Sequence, residues 1–351
     1  MPRWLAAAIA ALIIAASAWN AWALEVRDTA HTSDIAQRLD RGEKIDMDLY
    51  RQVHAQVAAG QDYYAVATAG NREFTFPTKP FVTVRTPVLA WTSALWGEWG
   101  WRVAAALLWS ANIAAWFLAL GPLASGRERD AAMVLSALFG AVAFIPIIPY
   151  SHECLAGLFV SLALALSATR WWVAGLVLAV IGVAIRELAM PFLFAWAAIA
   201  LVAGHRREPA AVFAAIALVV AGLWLHANAV DAARLPGDMT SPGWKGLFGP
   251  SLPLYGIHIT TLLQVLPSWL AGPLGVLPLL GWAALGGRLG AFATLWFAGF
   301  IFAVAVFARQ ENFYWMGLFV PAYGVGLAFV PRAFGDLAAS FRQTASASPT
   351  T

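Results

Sequence analysis

The residues with chemistry to offer are concentrated between positions 60 and 91, GQDYYAVATAGNREFTFPTKPFVTVRTPVLAW. Asp62, Tyr63, Tyr64, Arg72, Glu73, Lys79 and Arg85 stand there among three prolines, Pro77, Pro80 and Pro87. A carboxylate such as Asp62 can take a proton from an attacking hydroxyl. Arginine offers forked, charge-assisted hydrogen bonds that match a phosphate, which lysine does less well. The tyrosines can orient the carboxylate. Further along, His152-Glu153, Arg186-Glu187 and Arg309 interrupt or border apolar runs. Together these residue types suit a site that joins a membrane-embedded phosphate to an external acceptor.

Each of these residues also has a purely structural reading. Asp62 fits a solvated acid at a helix start, and Arg85 fits an interfacial arginine with its stem laid along apolar surface. Arg186 and Glu187 can pair with each other or with neighbouring helices, but ionisable groups amid apolar segments argue for function. Arg309 sits at a span end, where arginine is tolerated. His152 and Glu153 are adjacent and point in different directions on a helix, so substrate contact is expected rather than a shared metal. Asp40, Asp46 and Asp48 share their segments with many charges and read as surface or capping residues.

The elements that must position these groups are membrane helices. Of 351 residues, 61% are hydrophobic and 12% charged, with a net charge of +3. The mean hydropathy is +0.69. Such a chain is an all-α polytopic membrane protein, not a soluble one. No basic run with interleaved aromatics follows a phosphate backbone, so nucleic acid is not an expected partner; the lipid bilayer is. The single cysteine, Cys154, lies in an apolar run and reads as a buried small hydrophobe. Several of the 18 tryptophans, such as Trp91, Trp96, Trp99 and Trp101, suit an interface belt.

Ten spans are expected, near 4–24, 102–122, 131–150, 153–169, 171–186, 189–204, 209–229, 266–286, 290–308 and 312–330. A rival reading of the first is a signal peptide, because Ala21-Trp22-Ala23 resembles a small-x-small cleavage site. The two spans flanking Arg186-Glu187 are short enough to read alternatively as one broken hairpin. Residues 25–100 form a large first outer loop, too long for a plain connection. Within it, Leu49, Tyr50, Val53 and Val57 recur at helical spacing, which predicts an amphipathic surface helix ended by Gly60. A second short helix is expected over 62–69, followed by extended, proline-punctuated chain.

This topology puts nine arginines on the cytoplasmic side, Arg3, Arg127, Arg129, Arg170, Arg206, Arg207, Arg288, Arg332 and Arg342. The short outer connections hold four cations, Arg186, Arg234, Lys245 and Arg309. Both termini are therefore expected in the cytoplasm, with residues 1–335 as one transmembrane domain and 336–351 as a disordered tail.

In its N-terminal span, large outer loop with Asp62-Tyr63-Tyr64, return through Lys79-Pro80 and Arg85-Thr86-Pro87, and many following spans, the chain resembles the GT-C class of integral membrane glycosyltransferases. It is most similar to the polyprenol-phosphate-sugar-dependent, mannosyltransferase-like proteins of bacteria. The likeness is architectural over about 1–330 and motif-level at the loop, at His152-Glu153 with Arg186-Glu187, and from Arg309 to Pro321. The acidic residue of that class often follows the first span closely. Here Asp62 lies well beyond it and Asp28 is nearer, so both stand as candidate bases. The resemblance implies inverting transfer of a sugar from a polyprenyl-phosphate carrier to a hydroxyl of a glycan, lipid or protein acceptor. It implies a site on the outer face of the bacterial inner membrane, with Tyr63, Tyr64, Lys79, Arg85, His152, Glu153, Arg186, Glu187 and Arg309 contacting substrate. The sequence identifies no cofactor for certain; a divalent cation could bridge Asp62 or Glu153 to phosphate, although no dedicated ligand set is visible. The alternative from another class is a secondary transporter with a midplane site at Arg186-Glu187.

Overall fold

The computed structural model describes residues 1–40, 46–204 and 206–342, with side chains from 28 to 40 also left out. The described chain is all helical and holds no strand, only an isolated bridge between Lys79 and Thr240. Helix α1 (Arg3–Asp40) does not stop at the expected end of the first span. It carries its polar continuation, with Asp28, out of the apolar run as one 38-residue helix.

The first loop then forms α2 (Asp46–Ala58) and α3 (Tyr63–Glu73), as the periodicity predicts. Gly60, at φ 86°, makes the turn between them, a left-handed conformation that a glycine adopts without strain. Leu49, Val53 and Val57 of α2 pack on Tyr63, Val66 and Ala67 of α3. The extended chain after α3 is clasped by the connection that follows α9 (Arg207–Ala232). There the Arg234 guanidinium donates to the Thr78 carbonyl at 2.6 and 3.0 Å, and the Ser241 N–H donates to the Lys79 carbonyl at 2.7 Å.

Membrane entry comes earlier than the sequence suggests. Helix α4 (Val88–Leu120) starts right after Pro87 and is broken at Gly97, whose φ of 68° and ψ of −176° are not helical. Beyond α5 (Gly126–Phe139), the expected span over 131–150 is not one helix. The chain tightens into 3-10 turns over Gly140–Phe144 and Ile148–Tyr150, where Pro146 and Pro149 supply no backbone hydrogen-bond donor.

Helices α6 (His152–Ser167), α7 (Trp172–Ile185) and α8 (Met190–Val202) are apolar but have 16, 14 and 13 residues. At 1.5 Å per residue none reaches the ~30 Å of a hydrocarbon core. Almost every residue of α6 is buried, so protein and not lipid surrounds it. Its Gly157 lies against the backbone of Gly317, where an added Cβ would stand 2.1 Å from the carbonyl oxygen. Close approach through small residues is how helices pack when lipid removes the hydrophobic incentive.

The chain continues through α10 (Ser251–Ile259), α11 (Ser268–Leu285) and α12 (Gly287–Phe307). The expected span over 312–330 is instead a 3-10 run (Gln310–Leu318), a single turn α13 (Val320–Tyr323) and another 3-10 run (Gly324–Phe329) before α14 (Val330–Arg342). Gly317, Pro321, Gly324 and Gly326 break the helix repeatedly.

Among the described residues, five helical stretches are long and apolar enough to cross a membrane, Arg3–Arg27, Phe81–Leu120, Arg207–Ala232, Ser268–Leu285 and Gly287–Phe307. The pair Gln310–Leu318 and Val320–Arg342, bent by 59°, makes a sixth if it is one span. The described fold is therefore that of a helical membrane protein with five or six candidate spans and three shorter apolar helices, of which α6 is almost wholly buried, where ten spans were expected. The expected disordered tail is helical as far as Arg342, and residues 343–351 lie outside the described set.

Candidate functional site

One end of the bundle gathers the charged residues. Helix α6 begins there, α7 ends there, and the loop entering α4 crosses between them. Arg85 sits in that loop just after the 3-10 turn Phe81–Thr83, and its backbone is gripped from three helices. Tyr63 on α3 donates its hydroxyl to the Arg85 carbonyl at 2.6 Å. Thr86 donates to the Ala184 and Ile185 carbonyls at 2.7 and 3.0 Å, serving two acceptors left open at the C-terminal end of α7. His226 on α9 lies 3.1 Å from the Val84 carbonyl through Nε2 and 3.3 Å from the Tyr64 hydroxyl through Nδ1.

The chain leaves α7 at Arg186 in an extended conformation, φ −145° and ψ 106°, before a 3-10 turn of Glu187–Ala189 starts α8. Arg186 is 2% exposed and charge-balanced. Its Nε donates to Glu153 Oε1 at 2.6 Å and its Nη1 to Glu187 Oε1. Glu153 is also 3.8 Å from Nη2 of Arg85, so one carboxylate lies between the two guanidiniums. Its place in the first turn of α6 adds a favourable interaction with the helix dipole.

Arg85 is less completely paired than Arg186. Its Nη2 is 3.5 Å from the Tyr314 hydroxyl, its guanidinium lies 5.8 Å from the centre of the Tyr50 ring, and its buried Nε has no hydrogen-bond partner. An arginine held by its backbone, with donors unused, is prepared to accept an anion.

Helix α2 closes the group from above with Asp46, Tyr50 and His54, spaced four apart and so on one face. The Tyr50 ring meets that of His152 at 4.9 Å, and the His54 ring meets that of Tyr150 at 5.1 Å. His152 Nδ1 is 3.1 Å from the Tyr150 carbonyl, which can only accept, so Nδ1 carries the hydrogen. Burial pushes the Asp46 carboxyl above its ordinary value; Arg85 pulls it back and Glu153 adds to the rise. Burial likewise raises Tyr50, so its phenol keeps its proton beside Arg85.

The residues singled out in the sequence divide into two groups. Arg85, His152, Glu153, Arg186 and Glu187 meet in one cluster, and Tyr63 supports it from behind through the Arg85 carbonyl. Tyr64 reaches His226 instead of the cluster. Lys79 is half-buried beside Asp238, in the clasp between the loop and the connection after α9. Arg309 pairs with Glu311 at 3.3 Å, but the turn it opens carries Tyr314 to Arg85. Asp62 is exposed and caps α3, its carboxylate accepting from the Ala65 N–H at 2.9 Å. Among the described contacts, nothing joins it to Arg85. Asp28 lies on the polar continuation of α1, and its side chain is outside the described set.

Sequence reasoning missed Asp46, Tyr50 as a site residue, and Tyr314. The first two were detectable: Asp46, Tyr50 and His54 form an i, i+4, i+8 stripe beside the apolar stripe of Leu49, Val53 and Val57. Among the described residues, no three His, Cys, Asp or Glu side chains gather where they could hold a metal ion. Comparison of the chain with protein-family models, curated proteins and solved structures finds no match.

Proposed function

We propose that this protein is a membrane glycosyltransferase of GT-C type, moving a sugar from a polyprenyl-phosphate carrier to an acceptor hydroxyl with inversion. The observation that carries the reading is Arg85, a half-buried and incompletely paired guanidinium whose Nε is shut away from solvent without a partner, grouped with Asp46, a carboxyl whose proton affinity burial has raised. In this reaction Arg85 binds the carrier phosphate and stabilises the charge that gathers on it as the anomeric bond breaks. Asp46 takes the acceptor hydroxyl's proton, a task for which a raised pKa is an advantage. Glu153 and Glu187 fix Arg186, and Arg186 in turn fixes Glu153 near Arg85. Tyr50 and Tyr314 supply ring faces and phenolic hydrogens beside the phosphate position.

Asp46 thereby replaces Asp62 and Asp28 as the proposed base, since the Asp62 carboxylate is spent on a helix cap. The reading puts this end of the bundle on the outer face of a bacterial inner membrane, with both termini in the cytoplasm. The acceptor is a glycan, lipid or protein hydroxyl presented at the membrane surface.

The test is transfer from a radiolabelled polyprenyl-phosphate sugar by the purified protein in lipid. Asp46→Asn and Arg85→Gln should each abolish transfer while Asp62→Asn retains it. Absence of transfer to any membrane or wall acceptor overturns the reading. The extended break at Arg186 between two short helices favours a second reading, a secondary transporter with a site at Arg186-Glu187. That reading requires substrate accumulation in proteoliposomes that is lost in Glu187→Gln.

A further inference from the structure

A groove of about 660 Å³ runs between α1, α11 and α14. Ala10, Ile14 and Ala18 of α1, Pro273 and Leu277 of α11, and Leu337 of α14 are among its lining residues, and the rest are nearly all apolar too. Both α1 and α11 include stretches apolar enough to cross a membrane, so the groove lies at hydrocarbon depth. Water gains no hydrogen-bond partners in such a place, and hydrocarbon must fill it.

Its length and its polar end narrow the occupant. From Ala10 to Ala21, the extent of the α1 lining, the helix rises ~16 Å, about half of a ~30 Å hydrocarbon core and so the depth of one leaflet. About two turns before Ala10 stands Arg3. Its Nε and Nη2 donate to the Phe341 carbonyl at 3.1 and 2.8 Å, satisfying an open acceptor at the end of α14. Arg3 is otherwise exposed, and Arg342, also exposed, follows at the same helix end. Two cations therefore stand beyond one end of an apolar channel one leaflet deep, which is the charge pattern of an anionic lipid. This end of the bundle is opposite the Arg85 cluster: α1 runs from Arg3 to Arg27, whose guanidinium donates to Ser251 at the start of α10 at 2.7 Å, and α10 packs on the 3-10 run that carries Tyr314 to Arg85.

We propose that the groove between α1, α11 and α14 holds an acyl chain of an anionic phospholipid whose headgroup phosphate binds Arg3 and Arg342. Arg342 can engage phosphate oxygens through two parallel hydrogen bonds, and Arg3 offers the Nη1 edge that its bonds to the Phe341 carbonyl leave open. The site anchors α14, an amphipathic helix whose Phe334 and Phe341 face the groove, against α1. It is independent of the sugar-transfer reading.

The experiment uses the full chain in bilayers made of equal parts phosphatidylcholine and phosphatidylglycerol, transferred to native mass spectrometry. One phosphatidylglycerol should stay with each chain under conditions that strip the other lipids. Ala18→Trp, which fills the groove, should lose it. The double variant Arg3→Gln/Arg342→Gln, altered only at exposed positions, should lower the preference for phosphatidylglycerol over phosphatidylcholine by about tenfold. Equal retention of the two lipids by the unaltered chain overturns the proposal, as does undiminished retention in a folded Ala18→Trp variant. If that variant does not fold, the double arginine variant decides: an unchanged preference overturns the proposal. Displacement of phosphatidylglycerol by added polyprenyl phosphate also overturns it, and assigns the groove to the carrier lipid instead.

Discussion

Tyr63 donates its phenolic hydrogen to the backbone carbonyl of Arg85 at 2.6 Å. The bond places a helix of the first loop directly behind the arginine that faces the cluster. Burial raises the Tyr63 phenol, so the hydrogen is always present to be donated. Tyr63→Phe removes the donor and leaves a half-buried carbonyl unserved, at a cost of roughly 1–3 kcal/mol. If that cost falls on the placement of Arg85, kcat/KM for the phosphate-linked donor should drop by about tenfold or more. Tyr64→Phe, whose hydroxyl meets His226 instead, should change the rate far less. Steady-state rates of both variants, compared at equal folded protein, check this.

The two aspartates of the first loop make opposite predictions. Asp46→Asn keeps the shape and removes the proposed base, so on the glycosyltransferase reading transfer should fall by about 10²–10⁴-fold, the usual contribution of general base catalysis. Asp62→Ala removes only a helix cap. It should cost ~1 kcal/mol of stability and leave the transfer rate of the folded protein nearly unchanged. Thermal unfolding in detergent and transfer assays on the same preparations separate the two.

Much of this was legible in the sequence, and the failures have identifiable causes. The amphipathic α2, the second helix after Gly60 and the break at Arg186 follow from periodicity and from a charged pair in an apolar run. The expected ten spans are matched by five or six long apolar helices among the described residues, because hydropathy measures apolar length and not helix continuity. Pro146, Pro149, Gly317 and Pro321 cut two apolar stretches into 3-10 turns, and the short α6 owes its apolar sequence to burial in protein. In sequence Asp46 reads as a surface or capping acid because it is near Asp40, Arg41 and Lys44. Only the fold shows that α2 turns its Asp46, Tyr50 and His54 stripe toward Arg85 and His152. Asp62 attracted attention for its aromatic neighbours, which serve other ends: Tyr63 holds a carbonyl and Tyr64 packs on His226.

The docking of α2 should depend on pH through His54. Burial pushes this histidine down to about 4, with Glu98 opposing, while Tyr150 packs on its ring and Arg51 lies 5.6 Å from the centre of the Tyr150 ring. The docked state thus binds fewer protons than the undocked one between pH about 4 and the ordinary histidine value of about 6.5. Stability must then rise with pH across that window and fall as the medium is acidified through it. Asp46 acts in the opposite sense. Its raised pKa favours the protonated form in the fold, so its contribution declines as pH rises above the ordinary carboxylate value. Hydrogen exchange at α2 amides should report faster opening near pH 5 than near pH 7, and His54→Leu should remove most of the difference.

Arg186 and Glu153 are bonded at 2.6 Å, nearly inaccessible to solvent, and their energetics should be those of a buried pair. Glu153→Leu leaves the guanidinium with Glu187 as its remaining partner, and a buried cation stripped of a partner costs about 3–5 kcal/mol. Arg186→Leu leaves two carboxylates close together and should cost a comparable amount. The double variant removes both charges and fills the space with hydrocarbon, so it should recover a large part of either loss, because the desolvation of both ions disappears with them. Activity should not recover. Glu153 stands 3.8 Å from Arg85, and without it the guanidinium proposed to bind phosphate loses the carboxylate that helps hold it in place. Thermal unfolding of the four proteins, beside their transfer rates, yields both halves of the cycle; a double variant no more stable than the singles would show that the pair is not the unit that holds α6 to α7.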